Sequence, residues 1–309
     1  MENRQNDTIF AYYDTNMKAP LFRYTTLSEQ DRELNLHLTV AGVSDVLPNG
    51  EYPPTVAHPS RYRFSMEKGR ILQEYQIIYV TEGLGVFENS NKAFRVKPGS
   101  VIILFPGEWH RYRPLKSTGW KTHYIGFNGD MAKTLLKQEY FSPQNPIINI
   151  GLNGEILDYF NKIHTLTISE KPGYHQICVG LLIAYISQII SLVKYKEFEG
   201  TDVELKIRQA SFMLNERVYQ EIDAMKLAEE LNMGYSYFRK MFTKYTGLPP
   251  VQYHLQLRIR RAEIMLTSTN KTIKEISYEL GFESAFYFSR VFKEKTNLSP
   301  ADYRKMNTV

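Results

Sequence analysis

Between residues 34 and 127, apolar and polar positions alternate in short runs separated by glycine and proline turns. The clearest run is Tyr75-Gln-Ile-Ile-Tyr-Val-Thr, followed by the turn Glu82-Gly-Leu-Gly and by Val86-Phe87. Then come Ala93-Phe-Arg-Val, the turn Lys97-Pro-Gly-Ser, the run Val101-Ile-Ile-Leu-Phe and the turn Pro106-Gly; residues 120–127 alternate again. β-branched and aromatic runs with turn signals roughly every 8–12 residues predict a β-barrel or sandwich. From residue 153 the period becomes helical. Ile156, Leu157, Phe160, Ile163 and Leu166 follow i, i+3/i+4 spacing, and residues 174–196 read as a longer, strongly apolar helix. Its uncharged run, 177–193, has 17 residues, whereas spanning a bilayer takes about 20. A buried or dimer-forming helix is expected. Lys196-Glu-Phe-Glu-Gly-Thr-Asp reads as a linker ending at an N-cap, Thr201 or Asp202.

From residue 203 onward the chain reads as helices with short turns, and it repeats itself. Phe238, Phe242, Thr246, Leu248, Pro250 and Tyr253 each recur 50 residues later, as Phe288, Phe292, Thr296, Leu298, Pro300 and Tyr303. Upstream, Leu227, Ala228 and Leu231 match Ile276, Ser277 and Leu280 at an offset of 49, so the intervening turn differs by one residue. One supersecondary unit therefore occurs twice.

The chain has 309 residues, with 43% hydrophobic and 23% charged side chains. This excludes a wholly disordered chain and suggests two or three domains. A single cysteine, Cys178, excludes an intrachain disulfide, and the N-terminus lacks the pattern of a signal peptide. A cytoplasmic protein with no membrane partner is expected. The net charge of +5 is unevenly placed: residues 234–309 carry 13 Lys/Arg against 6 Asp/Glu. That excess points to a polyanionic partner at the C-terminal end.

Within each repeat the pattern is that of a helix-turn-helix. A short helix over 225–231 carries Ala228 where two helices approach closely. After a turn at 232–235, a second helix over 236–245 buries Phe238, Met241 and Phe242 and shows Ser236, Arg239, Lys240 and Lys244. In the second copy Phe288, Val291 and Phe292 are inside, while Ser284, Ala285, Ser289, Arg290 and Lys293 point out. Recognition helices need this division, because the apolar face anchors them while polar and basic side chains reach bases and phosphates. The alternative is a helical repeat that only packs.

At this level residues 203–305 resemble the DNA-binding domain of the AraC/XylS transcription regulators. The resemblance rests on Ile273-Lys-Glu-Ile-Ser-Tyr-Glu-Leu-Gly-Phe, Phe286-Tyr-Phe-Ser-Arg-Val-Phe-Lys and Leu298-Ser-Pro-Ala-Asp-Tyr-Arg. The first unit and a joining helix over 251–266, with Arg258 and Ala262, match too. Ser277 and Asn297 depart from the usual Ala and Gly; Asn still tolerates a left-handed cap. The resemblance implies that two helix-turn-helix units enter successive major grooves of double-stranded DNA. Ser236, Arg239 and Lys240 would make contacts from the first unit, and Ala285, Ser289 and Arg290 from the second. Lys244, Lys293 and Lys295 are phosphate-contact candidates or solvated charges.

The β-rich segment is similar to the cupin-like sensor domain of the same family, on Tyr75 to Gly85, Lys97-Pro-Gly-Ser-Val-Ile-Ile-Leu-Phe-Pro-Gly-Glu-Trp-His, and Gly119-Trp through Phe127. A catalytic cupin needs converging histidines and a carboxylate. No HxH occurs, and His110 stands without partners, so no metal, cofactor or catalytic residue is expected. A barrel without a metal can still hold one small ligand. Resemblance to arabinose-sensing members places Tyr112, Thr122 and Tyr124, and also Ser44, at sugar-contacting positions. Arg70 or Arg61 would supply the ligand-binding Arg, and His110 lines the pocket or is structural. Trp120 is expected in the core. The helices over 153–196 resemble the family's dimerisation segment, with Leu181, Tyr185, Gln188 and Leu192 facing a second copy.

The expectation is a multi-domain protein: an all-β cupin-like barrel, then an all-α double helix-turn-helix domain. Its parts would be an arm (1–33), an effector-binding barrel (34–152), dimerisation helices (153–196), a linker (197–202) and the DNA-binding domain (203–309). The expected function is a transcription regulator, not an enzyme, controlled by a monosaccharide. It would act as a homodimer, and would meet RNA polymerase if it activates. The alternatives are a regulator without a small-molecule effector, and a metal-dependent cupin enzyme fused to a DNA-binding tail.

Overall fold

In the computed structural model, residues 12–13, 20–53, 66–137, 140–196, 198 and 200–307 are described. The chain divides into two compact units, Met1–Lys194 and Tyr195–Val309. The first holds eleven described strands: β1 (Tyr12–Tyr13), β2 (Pro20–Tyr24), β3 (His37–Val46), β4 (Arg70–Ile71), β5 (Tyr75–Gly83), β6 (Gly85–Asn89), β7 (Ala93–Val96), β8 (Ser100–Leu104), β9 (Trp109–Pro114), β10 (Trp120–Asn128) and β11 (Ile147–Asn149). Its helices are α1 (Glu29–Glu33), α2 (Asp130–Leu136), α3 (Gly154–Ser169) and α4 (Tyr174–Lys194). The strands form two antiparallel sheets, ordered β1-β2-β3-β10-β5-β8-β11 and β4-β9-β6-β7.

The large sheet is covered on both faces, which explains why β5 and β8 read as nearly continuous apolar runs. Because side chains alternate along a strand, each central strand feeds two cores. Ile78, Val80, Ile102, Leu104 and Trp120 pack inside the barrel with Phe87 and Val96 of the small sheet. Ile77, Tyr79, Val101, Ile103, Ile125 and Phe127 pack instead with Ile156, Phe160, Ile163, Leu182 and Ile186 of α3 and α4.

Three expected assignments change here. Residues 20–24, expected in an arm, add β2 to the sheet beside β3, with Phe22 buried against Gly42. Phe198, expected in a linker, is buried in the second unit's core and meets Tyr245 edge to face at 5.3 Å. Tyr185, expected on a dimer face, is fully buried. The rotation of α4 is set by the stripe Cys178, Leu182, Tyr185, Ile186 and Ile189, all of which join the core. Leu181 and Leu192 pack partly against that same core, and Gln188 Nε2 donates to Glu155 Oε2 at 2.7 Å.

The second unit contains α5 (Asp202–Glu216), α6 (Ala224–Glu230), α7 (Tyr235–Thr246), α8 (Pro250–Ser268), α9 (Ile273–Glu279), α10 (Ala285–Thr296) and α11 (Pro300–Asn307). Thr201 is the N-cap of α5 and accepts from the Glu204 amide. The repeat is reproduced in detail. Phe242 meets Tyr253 edge to face at 5.3 Å, and Phe292 meets Tyr303 at 5.4 Å. The Thr246 and Thr296 hydroxyls each donate to the carbonyl four residues back. Asn297 takes the left-handed C-cap of α10 at φ 64°, as Gly247 does for α7 at φ 83°.

Candidate functional site

Inside the barrel, β9 turns His110, Tyr112 and Pro114 inward and Trp109, Arg111 and Arg113 outward. Arg70 on β4 pairs directly with His110 in the register. Its Nε donates to His110 Nε2 at 3.2 Å and its Nη2 donates to the Tyr112 hydroxyl. Since Arg70 only donates, His110 carries its proton on Nδ1, which donates to the Glu108 carbonyl at 3.1 Å. Burial, with the adjacent Arg70 charge, pushes the His110 pKa down to about 3. The imidazole is therefore neutral and both its nitrogens are engaged. The rings of Phe87, His110 and Tyr112 lie nearly parallel, and Tyr112 continues to Trp120 at 5.9 Å.

Thr122 and Tyr124 follow Trp120 on the inward face of β10. In the register Thr122 sits opposite Ser44 and Tyr124 opposite Gly42. Directly paired residues share a face, so Ser44 also points inward. Gly42 is required there: a Cβ would fall 2.5 Å from the Tyr124 hydroxyl. Ser44, Arg70, His110, Tyr112, Thr122 and Tyr124 thus all belong to the inner wall, and Trp120 is 3% exposed within its core. Arg61, the alternative to Arg70, lies outside the described residues. Among the described residues no three His, Cys, Asp or Glu side chains gather as a metal site requires.

Two features of the barrel were missed in the sequence. Tyr52 meets Trp120 edge to face at 6.1 Å, and burial raises its pKa well above the ordinary value. At the opposite end from Ser44, a cavity of about 320 Å³ is lined by residues including Arg32, His37, Thr39, Glu74 and Asn128. The β3–β10 register slips at Gly126/Phe127, leaving Thr39 unpaired as a bulge beside that cavity. The Thr39 hydroxyl and His37 Nδ1 are buried there with no hydrogen-bond partner among the described residues.

In the second unit, α6 and α7 form one helix-turn-helix, and α9 and α10 the other. Asn232 (φ 51°) and Gly281 (φ 69°) occupy equivalent left-handed turn positions. The next amides, of Met233 and Phe282, donate to the equivalent carbonyls of Ala228 and Ser277, each at 2.9 Å. The extra residue of the second copy follows at once: Glu283-Ser284 precedes α10 where Gly234 alone precedes α7. Buried Phe238, Met241 and Phe242 fix the rotation of α7, and Phe288, Val291 and Phe292 that of α10. Ser236, Arg239, Lys240 and Lys244 are exposed on α7, and Arg290, Lys293 and Lys295 on α10. Ser289 is half-buried, with its hydroxyl donating to the Ala285 carbonyl at 2.7 Å, and Ala285 is half-buried too. Arg290 lies over the Tyr287 ring at 5.5 Å.

Comparison with known proteins gives this arrangement a family. Residues 55–183 match the AraC-like ligand binding domain, and residues 227–306 match a helix-turn-helix domain. The chain belongs to the AraC/XylS family. Among its relatives, the MmsAB operon regulatory protein of Pseudomonas aeruginosa is 25% identical over 259 residues, 82% of each chain. The raffinose operon transcriptional regulatory protein RafR of Pediococcus pentosaceus is 24% identical over 91% of this chain and 97% of its own. The arabinose operon regulatory protein of Escherichia coli K12 is 22% identical over 87% of this chain and 90% of its own. This AraC-family chain is therefore a DNA-binding transcription regulator that pairs a ligand-binding β domain with a helical helix-turn-helix domain.

Proposed function

We propose that this AraC-family protein is a cytoplasmic regulator whose DNA binding is controlled by a monosaccharide held inside the barrel. The observation that carries the reading is the Arg70–His110–Tyr112 network on the inner wall. A sugar needs polar groups of fixed direction for its hydroxyls and an aromatic surface for its apolar face. Arg70, Ser44 and Thr122 are the polar groups, with neutral His110 orienting Arg70 from the same wall; Tyr112 and Tyr124 are the aromatic ones. The names of relatives that regulate raffinose, lactose and arabinose operons support a carbohydrate ligand.

In this reading Arg239, Lys240 and Arg290 read bases or hold phosphates, with Ser236, Ala285 and Ser289 beside them, and Lys244 and Lys293 meet the backbone. The protein acts as a homodimer through the α3–α4 segment and meets RNA polymerase when it activates. Sugar binding shifts the population between DNA-binding arrangements by its difference in affinity for them, typically about 1–3 kcal/mol. Calorimetric titration of the full chain with a panel of monosaccharides tests the ligand. One sugar binding the wild type and failing to bind Arg70→Met is expected; no sugar binding the wild type would remove the sugar from the account.

A further inference from the structure

Phe286 is 83% exposed, more than any other large apolar side chain among the described residues. A single exposed apolar residue is ordinary on a protein surface, but the place of this one is not ordinary. It lies in the first turn of α10, after the N-cap Ser284, whose hydroxyl accepts from the Tyr287 amide. Residues 286, 289, 290 and 293 follow i, i+3, i+4, i+7 spacing. Phe286 therefore shares one face with Ser289, Arg290 and Lys293, opposite the buried Phe288, Val291 and Phe292. Its neighbour Tyr287 is occupied, packing near Phe282 at 6.2 Å and lying beneath Arg290. Phe286 makes no ring contact among the described residues.

The internal repeat adds an independent argument. Phe288 corresponds to Phe238, so Phe286 corresponds to Ser236, the exposed hydroxyl in the first turn of α7. Ala285, chosen from the sequence, corresponds to Tyr235 and is half-buried. The two recognition helices thus present unlike groups at one equivalent position: a hydroxyl in the first unit and a phenyl ring in the second.

A phenyl ring forms no strong hydrogen bond with a base edge. The apolar group that unmodified B-DNA offers in the major groove is the C5-methyl of thymine, a known contact for apolar side chains. We infer that Phe286 reads a thymine methyl in the half-site of the second unit, so the two half-sites are read by different chemistry at equivalent positions. This rests on α10 lying in a major groove, which Arg290→Ala tests separately.

The experiment uses the full chain and a DNA fragment selected from a random pool by the wild type. Each thymine is replaced singly by deoxyuridine, which lacks only the methyl. One replacement is expected to weaken wild-type binding about four-fold, the equivalent of one buried methyl group. Phe286→Ser is expected to melt like the wild type and to bind the thymine and deoxyuridine fragments equally. Wild-type binding insensitive to every replacement would overturn the inference, as would a Phe286→Ser protein that keeps the wild-type sensitivity. A Phe286→Ser protein that binds DNA as the wild type does but fails in transcription would also overturn it, and would assign the ring to a protein partner.

Discussion

Arg258, midway along α8, donates from Nε to the Leu280 carbonyl at 2.7 Å, and its guanidinium lies 3.9 Å from the Phe282 ring centroid. Leu280 closes α9, where carbonyls lack helical partners. One buried side chain of the joining helix therefore satisfies the turn of the second helix-turn-helix and packs on its aromatic anchor. Arg258→Ala removes a charge-assisted hydrogen bond and opens a cavity, at a cost of about 2–4 kcal/mol. Hydrogen exchange on the full chain should show faster opening in residues 273–296 than in the first unit. Unchanged exchange there would contradict this role.

The α10 cap makes a smaller prediction. Asn297 holds φ 64°, a conformation that costs an ordinary L-residue about 1–2 kcal/mol. Asn297→Ala should destabilise the second unit by about 1 kcal/mol, and Asn297→Gly should not. Denaturant midpoints of the two variants check the difference.

The β-rich unit, Met1–Lys194, should weaken in acid. His110 and His123 have folded-state pKa values pushed down to about 3 and about 4, chiefly by burial. Both are neutral in the fold at pH 6, while the unfolded chain already binds protons there. Their contribution is full above the unfolded value near 6.5 and is lost as pH falls toward 4 and then 3. Each adds a slope of up to about 1.4 kcal/mol per pH unit in that window. Urea midpoints between pH 7.5 and 4.5 should fall, and His123→Gln should flatten the fall.

Much of this was legible in the sequence because local pattern and tertiary role agree. The period change near residue 153, the 50-residue repeat and its one-residue slip are backbone facts with sequence signatures, and the slip maps onto Glu283-Ser284. Other parts had no such signature. α4 is apolar nearly all round, so its rotation, and with it the burial of Tyr185, depends on what it packs against. β9 turns His110 and Tyr112 inward, so its inner face does not read as apolar. Phe198 sits among charged neighbours, and its place in the core shows only in tertiary packing such as its contact with Tyr245. Thr39 reaches the barrel's far end through a bulge that strand alternation cannot foresee. Phe286 had no such signature either, because an apolar side chain in the first turn of α10 reads as core, whereas the fold leaves it 83% exposed.

Within the DNA-binding unit, Arg290 and Lys293 should behave differently. Arg290→Ala should cost about 1–3 kcal/mol of specific binding and relax the preference at one base pair. Lys293→Ala should weaken binding to all sequences and lower the salt slope by about 1. Titrations at several salt concentrations, on specific and scrambled fragments, separate the two.

The central claim is that a sugar in the barrel controls DNA binding. The direct measurement is fluorescence anisotropy of the full chain on DNA from upstream of its own and neighbouring genes, with and without each monosaccharide. The account predicts tight, salt-sensitive binding to one fragment that one sugar shifts about 5- to 150-fold, with the shift lost in Arg70→Met. Specific binding that no sugar changes would contradict it.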